Sequence, residues 1–224
     1  MLAEIHGRPV RHHRAWLSPS WAAHASSVLS AEARATLADW FSRGRPAMIC
    51  RRLPGDPAGD PAGVPLSVTL PAARWLATLR FTVGRKGISR TAPPLSLTEA
   101  IAGAPPGWRA PLASLDRAAA GVKVPLFVVG ALAWQHLTGE PYLNSRSAVE
   151  LLFRPRTRQQ LDGILSILRV REDGDGPRLA GEVVLGWHDA VAWRDLALGR
   201  RRVLVRGAEH ESVMDVERLL AGLR

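Results

Sequence analysis

The sequence predicts an α+β protein, and three observations carry that expectation. Leu126 to Val129 form a short apolar run bounded by Pro125 and Gly130, and Ala131 to Leu137 then carry helix-forming residue types, giving a strand, a glycine turn and a helix start. Ser147 to Phe153 form a second β-like run that sets Ala148 and Glu150 on one strand face, looking back at the glycine turn. Arg156 to Val170 follow with Leu161, Ile164, Leu165 and Leu168 on one helical face.

In chain order, residues 1 to 15 carry Arg8, Arg11 and Arg14 with His6, His12 and His13, show no periodicity and read as an exposed arm. His12 and His13 are adjacent, point in different directions and make a poor metal pair. Ser20 or Ser30 supplies a helix cap, and Ala33, Leu37, Trp40 and Phe41 give Ala31 to Phe41 a helical spacing with Trp40 inward. Ala47 to Leu53 reads as a strand. Gly55 to Gly63 repeats Asp-Pro-Ala-Gly, where proline and glycine oppose both helix and ladder, and connects to a strand over Val64 to Leu70.

Arg80 to Val83 is a further strand, and the basic turn Gly84-Arg85-Lys86-Gly87 behind it is either solvated or a phosphate cradle. Leu97 to Ala102 and Pro111 to Ala120 read as helices separated by Pro105-Pro106-Gly107-Trp108-Arg109, with a domain boundary expected after residue 118. Glu172 to Gly176 is an acidic turn, Gly181 to Leu185 and Arg202 to Arg206 are strands, and Val213 to Leu223 is a closing helix.

The 224 residues suffice for one large or two small domains, each with its own core. No apolar run nears the roughly 18 residues that cross a bilayer, and the arginines and histidines near the N-terminus interrupt any signal-like segment. The single cysteine, Cys50, excludes an intrachain disulfide and a cysteine-rich zinc site, so a cytoplasmic protein is the simplest reading. A net charge of +10 points to an anionic partner, whether nucleotide, nucleic acid or acidic protein. Because Lys86 and Lys123 are the only lysines, that basicity is nearly all arginine and equally fits a compositional bias. No strand interleaves basic and aromatic residues, which argues against nucleic acid. His136, His188 and His210 have no ligand spacing, and no Gly-x-Ser-x-Gly, Walker-type loop or Cys/His pair competes for an active site.

The central stretch resembles a family. Gly130 to Leu143 reads Gly-Ala-Leu-Ala-Trp-Gln-His-Leu-Thr-Gly-Glu-Pro-Tyr-Leu, and Ser147 to Leu152 reads Ser-Ala-Val-Glu-Leu-Leu. This is similar to the core of the DNA polymerase β-type nucleotidyltransferases, with Gly-Ser at the turn and Asp-x-Asp on the next strand. Within them it is most similar to the phosphoribosyl-dephospho-CoA transferases of malonate decarboxylase, also called holo-acyl-carrier-protein synthases. Arg80 through Ile88 to Pro93-Pro94-Leu95 and Ala190-Val191-Ala192-Trp193-Arg194 are similar to the same family, so the resemblance runs loosely from Arg11 to Arg206.

The resemblance implies an N-terminal α+β domain over 1–118 and a nucleotidyltransferase-like mixed sheet with flanking helices over 119–224. It implies transfer of the phosphoribosyl-dephospho-CoA group from its triphosphate precursor, triphosphoribosyl-dephospho-CoA, to a serine of the malonate decarboxylase acyl carrier protein, with pyrophosphate released. Gly130 and Ala131 would hold phosphate at the turn, with Gln135 and Ser147 as further substrate contacts. Glu150 would be catalytic and, with Glu182, would hold Mg2+; Asp189 is the rival to Glu182. The chain departs from the family pattern where the chemistry is densest: Ala131 replaces the turn serine, Ala148 the first aspartate and Glu150 the second. Magnesium asks for near-octahedral oxygen ligation, so alanine at 148 removes one ligand. These departures motivate an alternative, a catalytically impaired relative that binds carrier protein or nucleotide without transfer.

Overall fold

The computed structural model describes residues 10–25, 29–52, 63–71, 78–172, 176–186, 189–207 and 211–223. The chain divides into two compact units, Met1–Pro94 and Leu95–Arg224.

In the first unit the strands are β1 (Arg14–Leu17), β2 (Ala47–Ile49), β3 (Val64–Thr69), β4 (Thr78–Val83) and β5 (Ile88–Ala92), with helix α1 (Ala31–Ser42) between β1 and β2. They form one antiparallel sheet in the order β4-β3-β2-β1-β5. Ser30 is the cap that α1 uses: its Oγ accepts the Ala33 amide at 3.1 Å. The helix buries Leu37 and Trp40, and the Trp40 indole donates to the Pro46 carbonyl at 3.0 Å. Phe41 meets Trp21 and Phe81 edge to face, and the three ring centroids lie 5.2 to 6.1 Å apart, so aromatic packing closes the core over the sheet.

Residues 1–9 of the expected arm lie outside the described residues, and its end is corrected: Arg14 opens β1, which lies between β2 and β5 rather than in solvent. Only Ala15 of its four residues is buried, which leaves too little alternation to register in the sequence. β5 escaped for the same reason, since Ser89 and Arg90 face water. The Gly84–Gly87 turn is a single 3-10 turn with Arg85 and Lys86 exposed. Most of the Asp-Pro-Ala-Gly repeat lies outside the described residues.

The second unit opens with β6 (Leu95–Ser96), α2 (Leu97–Ala100) and α3 (Pro106–Gly121), followed by β7 (Leu126–Val129), α4 (Gly130–Thr138), β8 (Ala148–Phe153) and α5 (Arg158–Glu172). It continues through β9 (Arg178–Leu185), β10 (Asp189–Ala192), α6 (Trp193–Ala197), β11 (Arg202–Arg206), β12 (Glu211–Asp215) and α7 (Val216–Leu220). The seven strands run β12-β11-β10-β9-β8-β7-β6 as a mixed sheet, and β8 and β9, joined through α5, are the parallel pair. A parallel pair needs such a crossover, and α5 supplies it. Val128, Val149, Leu151, Val183, Val191 and Val205 make one face of the sheet apolar and buried. α3 contributes Leu112 and Leu115 to the core, and α5 contributes Leu161, Ile164 and Leu168. The α+β expectation holds, with helices and a mixed sheet in the same unit.

The boundary expected after residue 118 is displaced, because residue 118 lies within α3 and the units part between Pro94 and Leu95. β6 pairs with β7, which ties everything from Leu95 onward to this sheet. α3 starts at Pro106, earlier than Pro111, since proline at the first helical position gives up no hydrogen bond. Ser96 and Glu99 form a reciprocal capping box at α2. The closing helix is also corrected: Glu211 to Asp215 pair residue for residue with Arg206 to Arg202, so a strand precedes the short α7.

Gly181 fixes the β8/β9 junction. Its φ is +122°, and a Cβ there would lie 2.7 Å from the Leu151 carbonyl carbon and collide with the carbonyl oxygen. We expect Gly181→Ala to cost at least about 2 kcal/mol, measured as a shift in the denaturation midpoint; an unchanged midpoint contradicts this close approach.

Candidate active site

The strand-glycine-helix turn forms where the sequence places it. Val129 is extended, Gly130 takes φ +67°, and α4 begins at once. Val129 and Glu150 are cross-strand partners in the β7/β8 ladder, so Glu150 points at the turn. A Cβ on Gly130 would sit 2.6 Å from Glu150 Cδ and collide with Oε1. Glycine is therefore favoured by its backbone angle, and any larger residue would also displace the carboxylate from the turn. The first amides of α4 have no partner within the helix and lie at its positive end, the arrangement that receives phosphate oxygens.

Paired residues share a sheet face, so the register extends the site across the strands. Ala148 pairs with Arg178, Glu150 with Ala180 and Leu152 with Glu182. Glu182 pairs onward with Ala192, and Ala190 with Arg206. Glu150, Glu182, Arg178 and Arg206 thus stand on the face opposite the apolar core. Glu150 keeps a solvent-accessible side, yet desolvation by the surrounding protein, and then repulsion from Glu182, push its carboxyl above the ordinary value of 4.5. Glu182 accepts from Arg206 Nη1 at 3.2 Å, and Arg206 Nε also lies 3.5 Å from Glu211 Oε1.

The other expected site residues divide. Ala131 and Ala148 are half-buried at the turn and on the Glu150 face, and neither carries a polar side-chain group. Gln135 is tied into the scaffold: its amide donates to the Gly103 carbonyl at 2.7 Å and accepts the amides of Tyr142 and Leu143, both at 3.1 Å. Ser147 likewise closes a turn, its Oγ accepting the Asn144 amide at 2.9 Å. Trp134 is core, stacked on Tyr142 at 6.5 Å. Asp189 loses its rivalry with Glu182, because it pairs with Leu185 and so belongs to the opposite face. His188 and His210 lie outside the described residues.

Two hard carboxylates that repel one another suit a divalent cation such as Mg2+. Among the described residues no three His, Cys, Asp or Glu side chains cluster as a complete ligand set, so substrate oxygens and water would have to fill the remaining positions. The sequence reading missed Arg206, and the available signal was the alternating alanines of Ala190-Val191-Ala192, which keep the space between Arg206 and Glu182 open.

Because folding raises the Glu150 pKa, its contribution to stability is full below 4.5 and is lost as pH rises through the raised value. Glu150→Gln, which cannot ionise, should therefore raise the melting temperature at about pH 7 but not at about pH 4. An equal effect at both values would show that Glu150 does not carry the shift.

Comparison with known proteins finds relatives along most of the chain. The family model "Phosphoribosyl-dephospho-CoA transferase MdcG N-terminal domain" matches residues 10–94, and the corresponding C-terminal domain model matches 96–217. A phosphoribosyl-dephospho-CoA transferase of Xanthomonas campestris pv. campestris (strain 8004) is 35% identical over 196 residues, covering 88% of this chain and 89% of that protein. One from Bradyrhizobium diazoefficiens is 31% identical over 215 residues, covering 96% and 93%, and one from Xanthomonas axonopodis pv. citri is 32% identical over 198, covering 88% and 89%. No solved structure matches the chain. Both units, joined where the two family models meet, place the chain in the phosphoribosyl-dephospho-CoA transferase family, and the protein is a transferase.

Proposed function

We propose that the protein transfers the phosphoribosyl-dephospho-CoA group from triphosphoribosyl-dephospho-CoA to a serine of the malonate decarboxylase acyl carrier protein, through a nucleotidyltransferase-type reaction in the cytoplasm. The observation that carries the reading is the Glu150 carboxylate held against the Gly130 turn, which places an acidic group beside a helix N-terminus suited to polyphosphate. In the transfer the serine oxygen bonds to the α-phosphorus, the bond from that phosphorus to the bridging oxygen breaks, and pyrophosphate leaves. The serine proton passes to a base, and Glu150, whose carboxyl is raised, is the group nearest the turn suited to receive it.

Gly130 and the amides of Ala131 onward orient the triphosphate, which needs no hydroxyl at 131 if backbone donors carry the contact. Glu150 and Glu182 would hold Mg2+, which supplies charge neutralisation of the polyphosphate and acidifies the attacking hydroxyl. Among the described residues no helix is long and apolar enough to cross a membrane. The net charge of +10 suits the CoA phosphates and an acidic carrier protein.

A second reading, binding without transfer, is favoured by one observation: Ala148 stands where the family pattern has a carboxylate. The intact mass of the apo carrier protein after incubation with this protein, Mg2+ and the triphosphate precursor separates the two. Transfer adds the mass of the prosthetic group, whereas retained binding without a mass shift supports the second reading; neither binding nor shift removes both. With transfer established, Glu150→Gln should slow it about 100-fold or more in a single-turnover version of the same assay. Unchanged turnover would take Glu150 out of the chemistry.

A further inference from the structure

Arg206 and Glu182 do not sit on neighbouring strands. β10 lies between β9 and β11, so the pair spans two strand spacings, roughly 10 Å between backbones. The guanidinium still reaches the carboxylate because the β10 residues partnering them, Ala190 for Arg206 and Ala192 for Glu182, are alanines. Arg206 is a third exposed, and its contacts to Glu182 at 3.2 Å and Glu211 at 3.5 Å are single-point rather than a two-bond fork. A phosphate offers a guanidinium that fork. The same sheet face carries Glu150, and hence reaches the Gly130 turn.

We propose that Arg206 is a substrate-binding residue kept in reserve: Glu182 holds it in the free protein, and it passes to the diphosphate portion of the incoming substrate. This rests on the reading of the Gly130 turn as a polyphosphate site. No covalent step is involved, only the exchange of one anionic partner for another. Glu182 therefore competes with phosphate for Arg206, so its removal should tighten phosphate binding only while Arg206 is present.

The test is metal-free inorganic pyrophosphate titrated calorimetrically, with chelator present, into the full chain and into E182Q, R206M and the double variant. E182Q should bind about tenfold more tightly than the unaltered chain and R206M about tenfold more weakly, while E182Q adds less than about twofold in the R206M background. An equal E182Q gain in both backgrounds reflects bulk charge alone and overturns the proposal. If R206M does not fold, R206K takes its place: about threefold or greater weakening supports the fork, and unchanged affinity overturns it. Gly130→Ala separates the two readings. Pyrophosphate binding lost in Gly130→Ala but additive in the cycle leaves the turn standing and removes Arg206, whereas no binding by any protein, E182Q included, removes both.

Discussion

The approach of the Glu150 carboxylate to the α-carbon of Gly130 is the contact on which the candidate site depends. A Cβ at 130 would displace the Glu150 carboxylate from the turn, and the positive φ there turns β7 into α4 within one residue. The turn in turn depends on Val129 facing Glu150 across the ladder, hence on the register of β7 with β8. A slip of one residue would send Glu150 into the apolar face and bring Val149 or Leu151 out. Binding capacity and fold specificity are consequently stored in the same backbone pairing.

Charge on the open face of the second sheet is arranged by the strands rather than by proximity in sequence. Glu150, Glu182 and Arg206 lie on β8, β9 and β11, and each is held in place by a ladder. Preorganisation of this kind limits how much side-chain ordering remains when an anion arrives. The alanines at 190 and 192 act as spacing elements, since a larger residue at either would stand in the path between Arg206 and Glu182.

Much of this was legible in the residues themselves. The strand-Gly-helix turn, the Ala148/Glu150 face and the α5 stripe follow from local periodicity, which is strong where a segment is buried on one side. β1 and β5 were not legible, because their short, half-polar segments become strands only by lying beside one another. β12 was read as helix since Val213, Met214 and the residues after them fit either period, and the partner strand decides. The role of Gln135 depends on backbone groups as far apart as Gly103 and Leu143, and no spacing rule encodes it, whereas Ser147 closes a local turn with Asn144. Arg206 was hidden similarly, its partner being reached across an intervening strand.

The order β4-β3-β2-β1-β5 has a consequence for how the first unit is made. Its earliest strand, β1, is held between β2 and β5, so the N-terminal segment synthesised first waits for one of the last. Until Ala92 has left the ribosome, β1 presents an unpaired edge, with its amides and carbonyls open to any extended segment nearby. A nascent chain stalled before β5 would thus leave the first sheet with β1 as an open edge.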